Sequence, residues 1–192
     1  MQFEKVKEFI LGKLKKELAE NLTYHSLGHI KDVYAAAENL ARLEHITGED
    51  LTLLLTAVLF HDSGFIESQK DHERLSCEIA EKYLPEYDYS PEQIKRVCSM
   101  IIATQIPQSP KNNLEQIICD ADLDYLGRDD FFKIGNTLFS ELRMYGILSN
   151  EREWNELQVR FLENHHYFTH SAKVLRVEKK AANLLIVKSK IK

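Results

Sequence analysis

Glycine and proline are scarce, at 7 and 4 of 192 residues, which excludes collagen-like repeats and fits poorly with a turn-rich all-β architecture. The three cysteines, Cys77, Cys98 and Cys119, stand in unrelated segments with no CxxC pair. Neither a disulfide framework nor a thiolate zinc site is expected from them, and a reducing, cytoplasmic setting suits them best. Long apolar runs are missing as well. The longest, Leu51 to Phe60, has ten residues including two threonines, against the roughly 20 needed to cross a bilayer. The opening MQFEKVKEFILGKLKKEL interleaves lysine and glutamate with apolar positions, so it lacks the apolar core of a secretory signal and argues against export.

What the chain does have is a 44% hydrophobic, 29% charged composition, enough to bury about 70% of its unfolded surface in a single domain over residues 1–192. The net charge of −5 is uneven. From Ser171 to Lys192 seven Lys/Arg face the single Glu178, a +6 tail that leaves −11 on the rest. A basic tail can meet anionic partners, but Val174, Val177, Ala181 and Leu184 recur at helical spacing, which reads as a terminal helix with an apolar stripe and a solvated polar face. The acidic body argues against dedicated nucleic-acid binding, and no membrane partner is expected.

Helical periodicity dominates elsewhere. Phe3, Val6, Ile10 and Leu14 form one stripe, Ile30, Val33, Ala37 and Leu40 a second, and Leu51, Leu54, Leu55, Val58 and Leu59 a third. Further helices are predicted over 73–84, from the Ser90-Pro91-Glu92 start to about Gln105, over 114–126 up to Gly127, over 129–145 up to Gly146, and from Asn150 to about Asn164. Residues 106–113, IPQSPKNN, form the clearest loop. With no strand pattern, repeat or linker, the expectation is an all-α bundle of about eight helices.

Histidine and aspartate fall where such a bundle would not normally place them. His25 and His29 lie four apart in YHSLGHI, with Ser26 a candidate N-cap that puts His29 in the first helical turn. His61-Asp62 closes the most hydrophobic helix, where unpaired charge is costly. Asp120, Asp122 and Asp124 crowd one segment, an arrangement that needs something positive nearby. Imidazoles and carboxylates converging from three helices are ordinary ligands of Mn, Co, Ni, Zn, Mg or Fe as divalent ions.

Together YHSLGHI, LFHDSGF and CDADLDYLG resemble the HD superfamily of metal-dependent phosphohydrolases, whose pattern is a His, a later His-Asp doublet and a distant Asp. The motif core spans about residues 20–130, with helices over 129–192 added after it. The resemblance implies His29, His61, Asp62 and Asp122 as metal ligands, with Asp120 the competing last ligand. It also implies an enzyme that cleaves a phosphate ester or anhydride of a nucleotide or other small phosphorylated metabolite. His25 is similar to the histidine of cyclic-nucleotide phosphodiesterases that protonates the leaving oxygen, and Asp62 would orient the attacking water. Asp71 is expected to cap the helix that follows, with His72 beside it a candidate second-metal or phosphate contact. Arg74, Arg128, Lys133 and Arg143 are candidate cations, and His165, His166 and His170 are expected at helix ends. A degenerate binding module and a di-iron oxygenase on the same scaffold are the alternatives, and a homo-oligomer is compatible with either.

Overall fold

Each expected stretch of helical periodicity forms a helix in the computed structural model, which describes residues 1–191. Among the described residues there are nine α-helices and no strand: α1 (Phe3–Glu17), α2 (Leu27–Leu43), α3 (Gly48–Phe60), α4 (His72–Tyr83), α5 (Pro91–Ala103), α6 (Asn113–Asp122), α7 (Phe131–Met144), α8 (Glu151–Asn164) and α9 (His170–Ser189). None is long and apolar enough to cross a membrane.

Local chemistry explains several boundaries. The Ser90 hydroxyl accepts from the Gln93 backbone N–H while the Gln93 side chain accepts from the Ser90 N–H, and Pro91 opens α5, so a reciprocal cap fixes that start. Asn112 and Asn150 cap α6 and α8 by accepting from the backbone N–H three residues on. One expected boundary shifts, and two expected caps make no side-chain bond. The helix predicted over 114–126 ends at Asp122, and a 3-10 turn over Asp124–Gly127 follows. There Asp124 is drawn into a bidentate pair with Arg176 at 2.6 and 3.1 Å. Asp71 precedes α4 but is in the left-handed region at φ 55°, and its side chain makes no capping hydrogen bond. Ser26 holds the N-cap position of α2, also without a side-chain cap.

The central member is α3, where every residue from Leu53 to Phe60 is buried. Each large side chain there contributes about 1.5–3 kcal/mol through removal from water, which makes α3 a rigid post. α1, α2, α5 and α6 pack around it. A second, smaller apolar cluster joins Tyr24, Leu123, Tyr125, Leu126, Phe131, Leu162 and Val187, most of them from the C-terminal part of the chain.

α9 keeps only part of its expected inner stripe, with Leu184 packed against the second cluster. Val174, Val177 and Ala181 are exposed, and the buried positions are Ala172, Asn183 and Val187. Arg176 turns inward to pair with the buried Asp124, while Lys179 and Lys188 make surface pairs with Asp129 at 2.5 Å and Glu163 at 2.6 Å. Asn183 adds a hydrogen bond to the Leu126 carbonyl at 3.0 Å. Periodicity locates the helix, but its inner face is a mixed one of Ala172, Arg176, Asn183, Leu184 and Val187. Three of the tail's seven positive charges are thus paired with acids of the body.

The turn after α3 is held tightly against α4. The Ser76 hydroxyl donates to the His61 carbonyl at 2.7 Å and accepts from the Gly64 N–H at 2.8 Å. A Cβ on Gly64 would collide with the His72 carbonyl. Gly64→Ala is therefore expected to destabilise the chain by about 3 kcal/mol or more through overpacking against backbone. Chemical denaturation would measure it, and an unchanged midpoint would mean that α4 does not pack this closely.

Candidate metal centre and substrate cavity

Three helix ends deliver the polar cluster. His29 lies in the first turn of α2, His61 follows α3 and Asp122 closes α6. One ligand atom from each lies within 4.8 Å of the others. His29 Nε2 is 3.1 Å from Asp122 Oδ1, and His61 Nε2 is 3.5 Å from the same oxygen. Asp62 joins them, with Oδ2 at 3.4 Å from His29 Nε2 and 3.3 Å from His61 Nε2. His61 Nδ1 donates to the Val58 carbonyl at 2.8 Å, which leaves Nε2 as the atom facing the cluster.

Donor chemistry favours a cation here. His61 Nε2 and Asp62 Oδ2 are fully buried, yet neither makes a hydrogen bond. Buried polar atoms are rarely left so. Burial alone would raise both carboxyls. His61 beside Asp62, and His29 and His61 beside Asp122, outweigh burial and hold both below the usual carboxylate range. Burial pushes the His61 imidazole down, but the carboxylates of Asp62 and Asp122 prevail and keep it well above its usual value. Two carboxylates and two imidazoles that favour positive charge in their midst fit a divalent ion.

The three crowded aspartates have three different fates. Asp122 faces the cluster and Asp124 pairs with Arg176. Asp120, fully buried, accepts from the Phe168 and Thr169 N–H groups at 2.8 Å each and from the Thr169 hydroxyl at 2.7 Å. Asp120 thus ties the start of α9 to α6. Asp120→Ala would strand these donors and is expected to cost about 2–4 kcal/mol while metal is retained, whereas Asp122→Ala removes the carboxylate that His29 and His61 face and should lose the metal. Thermal melts read beside metal content check this, and equal metal loss by both variants would contradict the division of roles.

Beside the cluster opens a cavity of about 210 Å³ whose wall includes His25, Asp62, His72, Glu73 and Asp122. His25 Nδ1 is 2.5 Å from Glu141 Oε1, and Glu141 Oε2 accepts from the Tyr24 and His25 backbone N–H groups at 2.8 and 3.1 Å. Burial would raise the fully buried Glu141, but the hydrogen bonds from His25 and Tyr24 outweigh it and lower it. The His25 ring stacks on Phe65 with centroids 4.0 Å apart. With Nδ1 committed to Glu141, Nε2 is the nitrogen left for a substrate. His72 does more than sit beside a cap: its Nε2 lies 3.6 Å from Asp62 Oδ1 and 3.4 Å from Glu73 Oε1.

A search of curated proteins finds no match to this sequence. A family model, the HD domain, matches residues 23–124, more than half of the chain. The chain belongs to the HD-domain family. Two solved structures share the fold of this HD protein. A Lactobacillus plantarum protein solved by structural genomics has a TM-score of 0.70 at 17% identity, with 98% of this chain and 94% of that one covered. Bacillus subtilis YpgQ, solved in complex with ADP, has a TM-score of 0.66 at 19% identity, with 98% and 95% covered.

The HD doublet, His29 and Asp122 come together as described, and His25 lies on the adjoining wall. The candidate cations do not: Arg74, Arg128, Lys133 and Arg143 are absent from the cavity lining. Arg128 is held by Asp32 at 3.0 Å and Asp130 at 2.8 Å, and Arg74 pairs with Glu78 on the surface. His165 stacks on Phe161 and is pushed down to about 3 by burial and by Lys180; it lines a neighbouring pocket with His166. His170 is the exposed first residue of α9. Sequence reasoning missed Glu141, Glu73, and Trp154, Gln158 and Phe161 of α8. For Glu141 no local signal exists, because its partner lies 116 positions away.

Proposed function

We propose that this HD-domain protein is a metal-dependent phosphohydrolase that cleaves a phosphate ester or anhydride of a nucleotide or other small phosphorylated metabolite. The observation that carries the reading is the buried, unpartnered pair His61 Nε2 and Asp62 Oδ2 within a four-residue His/Asp cluster. His29, His61, Asp62 and Asp122 would hold the ion, one of Mn, Co, Ni, Zn, Mg or Fe. When bound, such an ion polarises a phosphoryl oxygen and supplies hydroxide near neutral pH.

The chain's own residues account for the rest. Asp62, with one oxygen toward the His29–His61 side and the other toward His72, orients the attacking water toward phosphorus. Glu141 fixes the His25 ring through Nδ1 and the two backbone N–H groups, so Nε2–H is held ready to protonate the departing oxygen. The apolar side chains around the cavity exclude bulk water and strengthen these interactions. The ADP bound to YpgQ supports nucleotides among the candidates.

A screen of nucleotides and phosphomonoesters against Mn²⁺, Co²⁺, Ni²⁺, Mg²⁺, Zn²⁺ and Fe²⁺ tests the reading. Turnover that a chelator abolishes is the expected result. No turnover with any metal would favour the degenerate binding module. Iron at two per chain with a coloured protein would favour the di-iron oxygenase, for which His72 would have to join the ligands.

A further inference from the structure

Helix α8 lines the cavity with Trp154, Leu157, Gln158, Phe161 and Leu162, the positions that share one helical face. Gln158 is the single polar member of that stripe. It is only 7% exposed, and among the described residues its one side-chain hydrogen bond is a long one, from Nε2 to Asn155 Oδ1 at 3.4 Å. Its Oε1 makes none. That oxygen is not sealed off by protein, so it can accept a hydrogen bond from a ligand in the cavity. The side chains around it include two aromatics: Trp154, whose indole stacks on Phe139 at 5.7 Å and 13°, and Phe161. Such a surface offers aromatic side chains against which a flat ring can pack. No lysine or arginine lines the cavity to answer a polyphosphate.

We infer that this bay binds the nucleobase of a nucleotide that presents a single phosphate group to the cluster, and that the Gln158 amide reads the hydrogen-bonding edge of the base. The inference rests on the phosphohydrolase reading and narrows it. A planar heterocycle with adjacent donor and acceptor matches a carboxamide, which offers one N–H and one carbonyl side by side. Aromatic faces accept any base by stacking, so the amide is the element that discriminates. Gln158 is accordingly a specificity-determining residue on α8, beyond the stretch that carries the metal ligands.

Trp154 is the sole tryptophan, so its fluorescence reports the bay without any turnover. Full-length protein would be titrated with adenosine, inosine, guanosine, cytidine and uridine, with hexyl phosphate as the apolar control. Saturable quenching by at least one nucleoside is expected, with hexyl phosphate much weaker. Gln158→Met, close in volume, should weaken the preferred nucleoside at least 10-fold. Gln158→Glu, which keeps the acceptor oxygens but loses the amide donors, should change the adenosine-to-inosine preference. A merely structural glutamine would move all ligands alike. No saturable response to any nucleoside, or tighter binding of hexyl phosphate than of every nucleoside, would overturn the inference. Quenching without metal-dependent turnover would retain the base site and remove the hydrolase, while turnover of base-free esters without quenching would do the reverse.

Discussion

His61→Ala is expected to lose retained metal and to lower turnover by at least about 10³-fold, because the variant lacks a ligand atom that no neighbour can replace. The imidazole reaches the cluster through a fixed geometry: α3 is buried over its last eight residues, and the Val58 carbonyl holds Nδ1 at 2.8 Å. His72 Nε2 faces the other oxygen of Asp62, 3.6 Å from Oδ1, rather than the His29–His61 side. Asp62→Ala should behave likewise, since Asp62 Oδ2 lies 3.4 and 3.3 Å from the His29 and His61 nitrogens. Metal content by mass spectrometry and steady-state rates would be measured on the same preparations. Retained metal in both variants would show that the doublet has another role.

Glu141→Gln carries the second large effect. The amide can still accept one hydrogen bond but cannot hold the His25 ring as a carboxylate does, so kcat should fall about 10²- to 10⁴-fold for esters with poor leaving groups. For p-nitrophenyl esters, whose leaving oxygen needs little protonation, the loss should be much smaller. Metal content should be unchanged, because Glu141 lies outside the cluster. An equal loss for both kinds of ester would contradict the general-acid role of His25. Stability supplies an independent readout. Glu141 is held below its usual value in the folded chain, so the stability it contributes is present above the unfolded carboxylate range near ~4.3 and disappears as pH falls through the folded value. Wild type should therefore lose part of its stability margin over the Glu141→Gln variant as the pH falls from neutral to below the usual carboxylate range.

The fold is readable because its signals are local. Apolar residues recur every three or four positions along α1, α2 and α3, and caps such as Ser90-Pro91 with Gln93 lie within one turn. The doublet and His29 are readable because a buried helix end seldom carries His and Asp without partners. Sequence narrows the last ligand only to Asp120 or Asp122. Two residues apart on one helix, they are separated by what lies opposite, the Thr169 turn for Asp120 and the histidines for Asp122. Glu141 and Gln158 are invisible for the same reason, since each gains meaning from residues distant in the chain. The outward turn of Val174 and Val177 in α9 escapes detection because apolar spacing carries no information about what packs opposite, here the buried Asp124 that faces Arg176.

Equilibrium dialysis of the intact chain and two variants against Mn²⁺ tests the central claim most directly. Wild type and Asp120→Asn should bind the ion stoichiometrically, Asp120→Asn melting earlier, and Asp122→Asn should lose it. Equal Mn²⁺ binding by wild type and Asp122→Asn would contradict the account.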